Sequence, residues 1–171
     1  MKNESLLNHK TILIVDDEQD ILDTVEELLP MCMVTKATNY DTAVEYLLGY
    51  TYDIVILDIM GVDGFNLLKK SVERGFPAVI LSAHAVTVES LKKSIELGAV
   101  YFLPKDELSE LHKFLEDVVL EGGKPLWIKL FNRLDSNFKK RFGSDWKEKE
   151  ASLKELESAF WSKEREKLND K

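Results

Sequence analysis

Apolar residues in the first 121 positions of the chain follow two alternating rhythms. Short unbroken runs, TILIV (11–15), CMVTKA (32–37), DIVIL (53–57), AVILSA (78–83) and AVYFL (99–103), read as five strands. Between them the apolar positions recur at helical spacing. Ile21, Leu22, Val25, Leu28 and Leu29 mark a helix stopped by Pro30, and Ala43, Val44, Leu47 and Leu48 mark a second ended by Gly49. Phe65, Leu67, Leu68 and Val72 line a third helix closed by Gly75. Val88, Leu91 and Ile95 line a fourth closed by Gly98, and Leu108, Leu111, Leu115 and Val118 a fifth. Strict strand-helix alternation with nearly continuous apolar strands predicts an α/β fold, a doubly wound five-stranded parallel sheet covered on both faces by right-handed crossovers.

Beyond the Gly122-Gly123 pair the pattern changes. Pro125 suits the first turn of a helix on which Trp127, Leu130, Phe131, Leu134, Phe138 and Phe142 share one face before Gly143. Ser144 is a candidate N-cap for a second helix carrying Trp146, Leu153, Leu156 and Phe160. A C-terminal helical hairpin is expected over residues 124–168, and its apolar side chains must dock on something. Charge divides at the same point. Residues 1–121 hold 10 basic and 22 acidic side chains, net -12, and residues 122–171 hold 13 and 9, net +4. The expected organisation is an α/β domain over 1–121 and a helical extension over 122–171.

A chain of 171 residues, 44% hydrophobic and 32% charged, has room for one full domain with an appended segment. Its formal charge of -8 has the wrong sign for a surface that embraces nucleic acid. In the extension, Lys147, Lys149 and Lys154 alternate with Glu148, Glu150, Glu155 and Glu157, which repel phosphates, so nucleic acid is not the expected partner. Cys32 stands alone and permits no internal disulfide; a small buried apolar residue is its expected role. The start MKNESLLNHK lacks an apolar signal region, and the longest apolar run, 99–103, falls far short of the ~20 residues that span a bilayer. No membrane partner and a cytoplasmic location are expected.

In a parallel sheet ligands bind beyond the carboxyl ends of the strands. There the sequence places Asp16-Asp17, followed by Glu18, then Asp58, Ser82 and Lys105. Carboxylates gathered on one edge repel one another unless a hard divalent cation neutralises them, and oxygen donors without thiolates select Mg²⁺, with Mn²⁺ as the alternative. An acidic pocket with one lysine and one hydroxyl suits a phosphoryl group carried on, or delivered to, a carboxylate. Taken singly, Asp16 and Asp17 would serve as helix N-terminal charges and Phe102 as core. His84 follows Ser82 by two positions and is either an exposed loop residue or a group that shapes phosphoryl hydrolysis. With His9 and His112 it makes no metal or catalytic constellation.

IVDDEQD, VILDIM, ILSAHA and YFLPKD, in that order at strand ends, resemble the receiver domain of bacterial two-component response regulators, of chemotaxis-regulator type, over roughly residues 10–121. The resemblance implies a flavodoxin-like sheet of order 2-1-3-4-5. It also implies Asp58 as the acceptor of a phosphoryl group from a histidine kinase, with Asp16, Asp17, Asp58 and the Met60 carbonyl holding Mg²⁺. Ser82 would take the hydroxyl role, Lys105 the phosphate-contacting role and Phe102 the aromatic switch. Two differences stand out. The family usually reads Asp-x-x-Met-Pro after the acceptor with a glycine further on, whereas Asp58-Ile59-Met60-Gly61-Val62-Asp63-Gly64 lacks the proline and is shorter. The family lysine is normally followed by proline, whereas here Asp106 follows Lys105 and Pro104 precedes it.

The expected function is therefore a response regulator of a two-component phosphorelay, a phosphoaccepting signalling protein rather than an enzyme, acting through contacts with an unidentified downstream protein or a second copy of itself. One alternative is a DNA-binding transcriptional regulator reading through the extension, in which no helix-turn-helix is recognisable. The other is an aspartyl-phosphate hydrolase of the haloacid-dehalogenase type, which needs Asp-x-Asp where Glu18 stands.

Overall fold

The computed structural model of the chain describes residues 4–83 and 87–126. Five strands and five helices alternate along it: β1 (Thr11–Val15), α1 (Gln19–Leu28), β2 (Met33–Ala37), α2 (Tyr40–Gly49), β3 (Ile54–Asp58), α3 (Gly64–Glu73), β4 (Ala78–Ser82), α4 (Val88–Glu96), β5 (Tyr101–Pro104) and α5 (Leu111–Leu120). All strand pairs are parallel, in the order β2-β1-β3-β4-β5. This is the predicted doubly wound α/β sheet, with strand ends shifted by one or two residues. A short 3₁₀ helix, Lys105–Glu110, joins β5 to α5 and takes in Leu108, which the apolar spacing assigns to the fifth helix. His84 and all but residues 124–126 of the expected helical hairpin lie outside the described residues.

Burial explains the strand composition. Every residue of the central β3 and of its neighbour β4 is buried, which is why these strands read as unbroken apolar runs rather than alternating ones. The edge strand β2 leaves Met33 exposed and keeps only Ala37 fully inside. The ring of Tyr101 on β5 packs edge-on against Phe114 of α5, 5.1 Å between centroids, and α5 also contacts α1. On the other face α2 meets α3, and Lys93 of α4 lies 4.4 Å from the Phe65 ring of α3. Successive strand residues point to opposite faces, so Phe102 faces the α3-α4 side and is completely buried there.

The helices start where local chemistry favours it. The Asn39 side chain accepts from the Thr42 amide at 2.9 Å to open α2, and Thr87 and Ser90 form a reciprocal capping box at α4. Helix α3 has a stranger entry: its N-cap, Asp63, lies in the left-handed region (φ 53°), just after Gly61 at φ 82°. This compact turn is the structural form of the shortened segment after Asp58.

Both flanks of the sheet are tied to the core. Leu7, ahead of β1, is fully buried and its carbonyl accepts the Cys32 thiol at 3.4 Å. After α5, Gly122 and Gly123 take positive φ angles and turn the chain back, so that the Leu126 amide donates to the Val100 carbonyl at 2.8 Å and its side chain is buried. Packing on the α/β unit thus continues past the glycine pair.

Candidate functional site

The carboxyl ends of β1, β3 and β5 bring four charged side chains to one point. Lys105, the first residue after β5, places its ammonium 2.9 Å from Asp16 Oδ2, 3.0 Å from Glu18 Oε1 and 3.4 Å from Asp58 Oδ2. The parallel register does this: Val15 pairs with Leu57, and Asp58 with Leu81, so residues distant in sequence leave the sheet at one level. Asp16 and Asp58 are buried, and the Lys105 side chain is only 10% exposed. Glu18 reaches in from the solvent side.

Asp58, Asp16 and Lys105 are electrostatically displaced. Burial and the Asp16 charge push the Asp58 carboxyl up to about 6, against the pull of Lys105 and the Met60 amide. Burial likewise raises Asp16, partly offset by the Glu18 amide and by Lys105. For Lys105, burial works against the charged form, but close contacts with Asp16 and Glu18 and the fields of Asp16 and Asp58 outweigh it and hold the ammonium protonated. With Asp17 included, four carboxylates face one ammonium, a net charge of -3 when all are ionised.

The remaining predicted residues lie at the carboxyl ends of the strands, save Phe102. Asp17 is exposed, and the α3 entry turn leans on it: a methyl group at Gly61 would sit 2.5 Å from Asp17 Oδ2. Gly64 is equally constrained, since a Cβ there would overlap the Asp58 carbonyl oxygen at 2.0 Å. Met60 is largely exposed and its amide donates to Asp58 Oδ1 at 3.4 Å. Ser82 ends β4 one residue beyond the level of Asp58; its hydroxyl is buried and directed at the Ala83 carbonyl at 3.5 Å. Phe102 stays within the core, three residues before Lys105. The side chain that the pattern of residues left without a role is Glu18. Its place after Asp16-Asp17 was the one available sign, and its contact with Lys105, 87 positions away, is invisible without the fold.

The oxygen set suits a hard divalent cation. Carboxylate oxygens of Asp16, Asp17 and Glu18 come within 4.8 Å of one another. Asp16 Oδ2 is buried and meets Lys105 as an ion pair without a hydrogen bond, so it keeps lone pairs available to a cation. No thiolate or imidazole belongs to the cluster, so its chemistry favours Mg²⁺ or Mn²⁺ over zinc.

Comparison with known proteins agrees with this geometry. Residues 12–116 match the family model of the response regulator receiver domain, so the chain belongs to that family. It is 37% identical over 120 residues to the two-component response regulator ARR18 of Arabidopsis thaliana, covering 66% of this chain and 19% of that protein. Fimbriae Z protein of Salmonella typhimurium is 31% identical over 121 residues, covering 66% of this chain and 57% of its own length. The chain spans between 15% and 57% of the curated relatives it matches. Among solved structures, NtrX from Brucella abortus superposes with a TM-score of 0.60 at 28% identity, covering 80% of this chain and 30% of that one. A two-component response regulator from Clostridium difficile shows the same fold, with a TM-score of 0.60 at 22% identity over 65% of this chain and 96% of that one.

Proposed function

We propose that this receiver domain is a phosphoacceptor in a two-component phosphorelay, taking a phosphoryl group onto Asp58 from the phosphohistidine of a histidine kinase. The observation that carries the reading is the meeting of Asp16, Asp58 and Lys105 within 3.4 Å at the carboxyl edge of the sheet. In the transfer, an ionised Asp58 oxygen attacks phosphorus. The P–O bond forms as the P–N bond breaks, and the electron pair leaves with the imidazole, which takes a proton from solvent. An ionised Asp58 is available at neutral pH because its pKa of about 6 lies below 7.

Asp16, Asp17, Asp58 and the Met60 carbonyl would hold Mg²⁺, which when bound offsets negative charge on the transferred oxygens. Lys105 supplies a second positive charge from the β5 side. The Ser82 hydroxyl, at the end of β4, donates a hydrogen bond to a phosphoryl oxygen after turning from the Ala83 carbonyl. Movement of Ser82 and Lys105 toward the new group biases the packing of Phe102 between α4 and β5. The output is protein contact through that surface and through the extension of residues 122–171, with a downstream protein or a second copy of the chain. Among the described residues no helix is long and apolar enough to cross a membrane.

The test is labelling by a small acyl phosphate. With Mg²⁺, intact mass should show one added phosphoryl group, absent from Asp58→Asn and abolished by EDTA. Undiminished labelling of Asp58→Asn would overturn the assignment of the acceptor, and full labelling in EDTA would remove the metal.

A further inference from the structure

We propose that Glu18 is a positioning residue that acts as a latch on Lys105, holding the ammonium in the resting site and letting it pass to a phosphoryl group on Asp58, the Glu18 carboxylate then turning to solvent. This rests on the phosphoacceptor reading above. An ammonium has three N–H donors and accepts nothing. In this structure three carboxylates face it, with Asp16 at 2.9 Å and Glu18 at 3.0 Å closer than Asp58 at 3.4 Å. The Asp58 contact, the longest of the three, passes to a phosphoryl oxygen on Asp58, and drawing the ammonium onto that oxygen pulls it from the other two carboxylates.

Exposure decides which of the two lets go. The Asp16 side chain is fully buried, and removing its cation would strand a charge away from water. The Glu18 side chain is 60% exposed, so water replaces the ammonium there at small cost. Glu18 is therefore the partner that leaves.

A second observation points the same way. Glu18 occupies the N-cap of α1, where Ser, Thr, Asp or Asn ordinarily bonds the helix amides, and its longer side chain makes no cap hydrogen bond. The local turn is closed instead by Asp16 Oδ1, which accepts the Glu18 amide at 2.9 Å. The Glu18 carboxylate is left to reach Lys105 across the end of the sheet. Because Lys105 is also the first residue of the 3₁₀ helix, the latch ties the start of α1 to the start of the β5-α5 connection. Release would free that connection at the moment of phosphorylation.

A latch that competes with the phosphoryl group must weaken its binding, and removing the latch must strengthen it. The probe is beryllofluoride, a phosphoryl mimic, titrated into the full chain at saturating Mg²⁺. Glu18→Gln should bind it about two- to fivefold more tightly than the wild type, the scale of one solvent-facing ion pair. Asp20→Asn removes an exposed charge from the first turn of the same helix and should give a smaller gain. Equal affinities of wild type and Glu18→Gln would overturn the latch alone, as would a gain in Asp20→Asn as large as that in Glu18→Gln. Mg²⁺ affinity measured without beryllofluoride provides a further check. A loss there in Glu18→Gln greater than its gain in beryllofluoride affinity would make Glu18 a metal ligand and overturn the latch. Beryllofluoride binding by neither protein would overturn the phosphoacceptor reading and the latch with it.

Discussion

Gly61 lies so close to Asp17 that a Cβ on the glycine would stand 2.5 Å from the aspartate Oδ2. The compact turn between β3 and α3 thus presses backbone, not a side chain, against a carboxylate assigned to the metal. Gly61→Ala should displace that carboxylate and weaken Mg²⁺ binding about tenfold or more, the usual scale for disturbing a ligand's support. Gly75→Ala is the control: it shares the positive φ, at 78°, but meets nothing within 4 Å. It should cost about 1–2 kcal/mol of stability from backbone strain alone and leave Mg²⁺ affinity unchanged. Calorimetric titration of both variants decides whether contact or strain matters.

Asp58 carries a cost in the metal-free protein. Its carboxyl is raised from 3.8 to about 6, so the folded state resists its ionisation. For a raised acid the penalty is absent below the unfolded value, grows as pH rises from about 4 to 6, and is complete above that. Asp58→Asn should therefore stabilise the protein in EDTA at pH 7.5 by about 1–3 kcal/mol, and the advantage should vanish near pH 4. Denaturant melts at the two pH values measure it, and an equal effect at both would refute the assignment to ionisation.

Lys105 is the cation that the acidic pocket relies on when no metal is bound. Lys105→Met keeps much of the side-chain volume and removes the charge, leaving Asp16 and Asp58 buried together. Destabilisation of about 3 kcal/mol at pH 7.5 without metal is expected. Mg²⁺ should then raise the melting temperature more than it does for the wild type, because the ion replaces the missing charge. A smaller Mg²⁺ response in the variant would show that lysine and metal do not compete electrostatically.

Phosphorylation should be felt on the α4-β5 side. Ser82 and Lys105 flank the elements that enclose Phe102, which is wholly buried and opposite Ile80 in the register. Hydrogen exchange comparing free and beryllofluoride-bound protein should change in α4, β5 and the 3₁₀ helix, while β2 on the far edge stays the same. Identical exchange maps would exclude a switch around Phe102.

The end of the folded unit can be tested by truncation. A chain ending at residue 126 keeps the buried Leu126 and its bond to Val100; one ending at 121 loses both. The shorter form should be less stable by about 2–4 kcal/mol, as for loss of a buried leucine. Equal stability would place the boundary at the glycine pair.

Much of this architecture is written in the apolar pattern. Continuous runs such as IVIL in β3 and AVIL in β4 require burial on both faces, and helical spacing in between requires crossovers, so a parallel sheet follows. The direction of the chain then sends every strand end to one edge, and Asp16, Asp17, Asp58, Ser82 and Lys105 could be picked out there before any coordinates. Periodicity is silent where burial is not periodic. The 3₁₀ helix after β5, the left-handed Asp63 and the return of Leu126 to Val100 each depend on short-range geometry rather than on a repeating face.

The order of charged residues along the chain determined which groups would share an edge, because a parallel sheet sends every strand end the same way. Only the tertiary structure decided their distances. Lys105 stands 3.0 Å from Glu18 and 3.4 Å from Asp58, above an Asp16 side chain that is fully buried. Those are differences of a few tenths of an ångström between side chains 87 positions apart, set by packing that no local pattern of residues encodes.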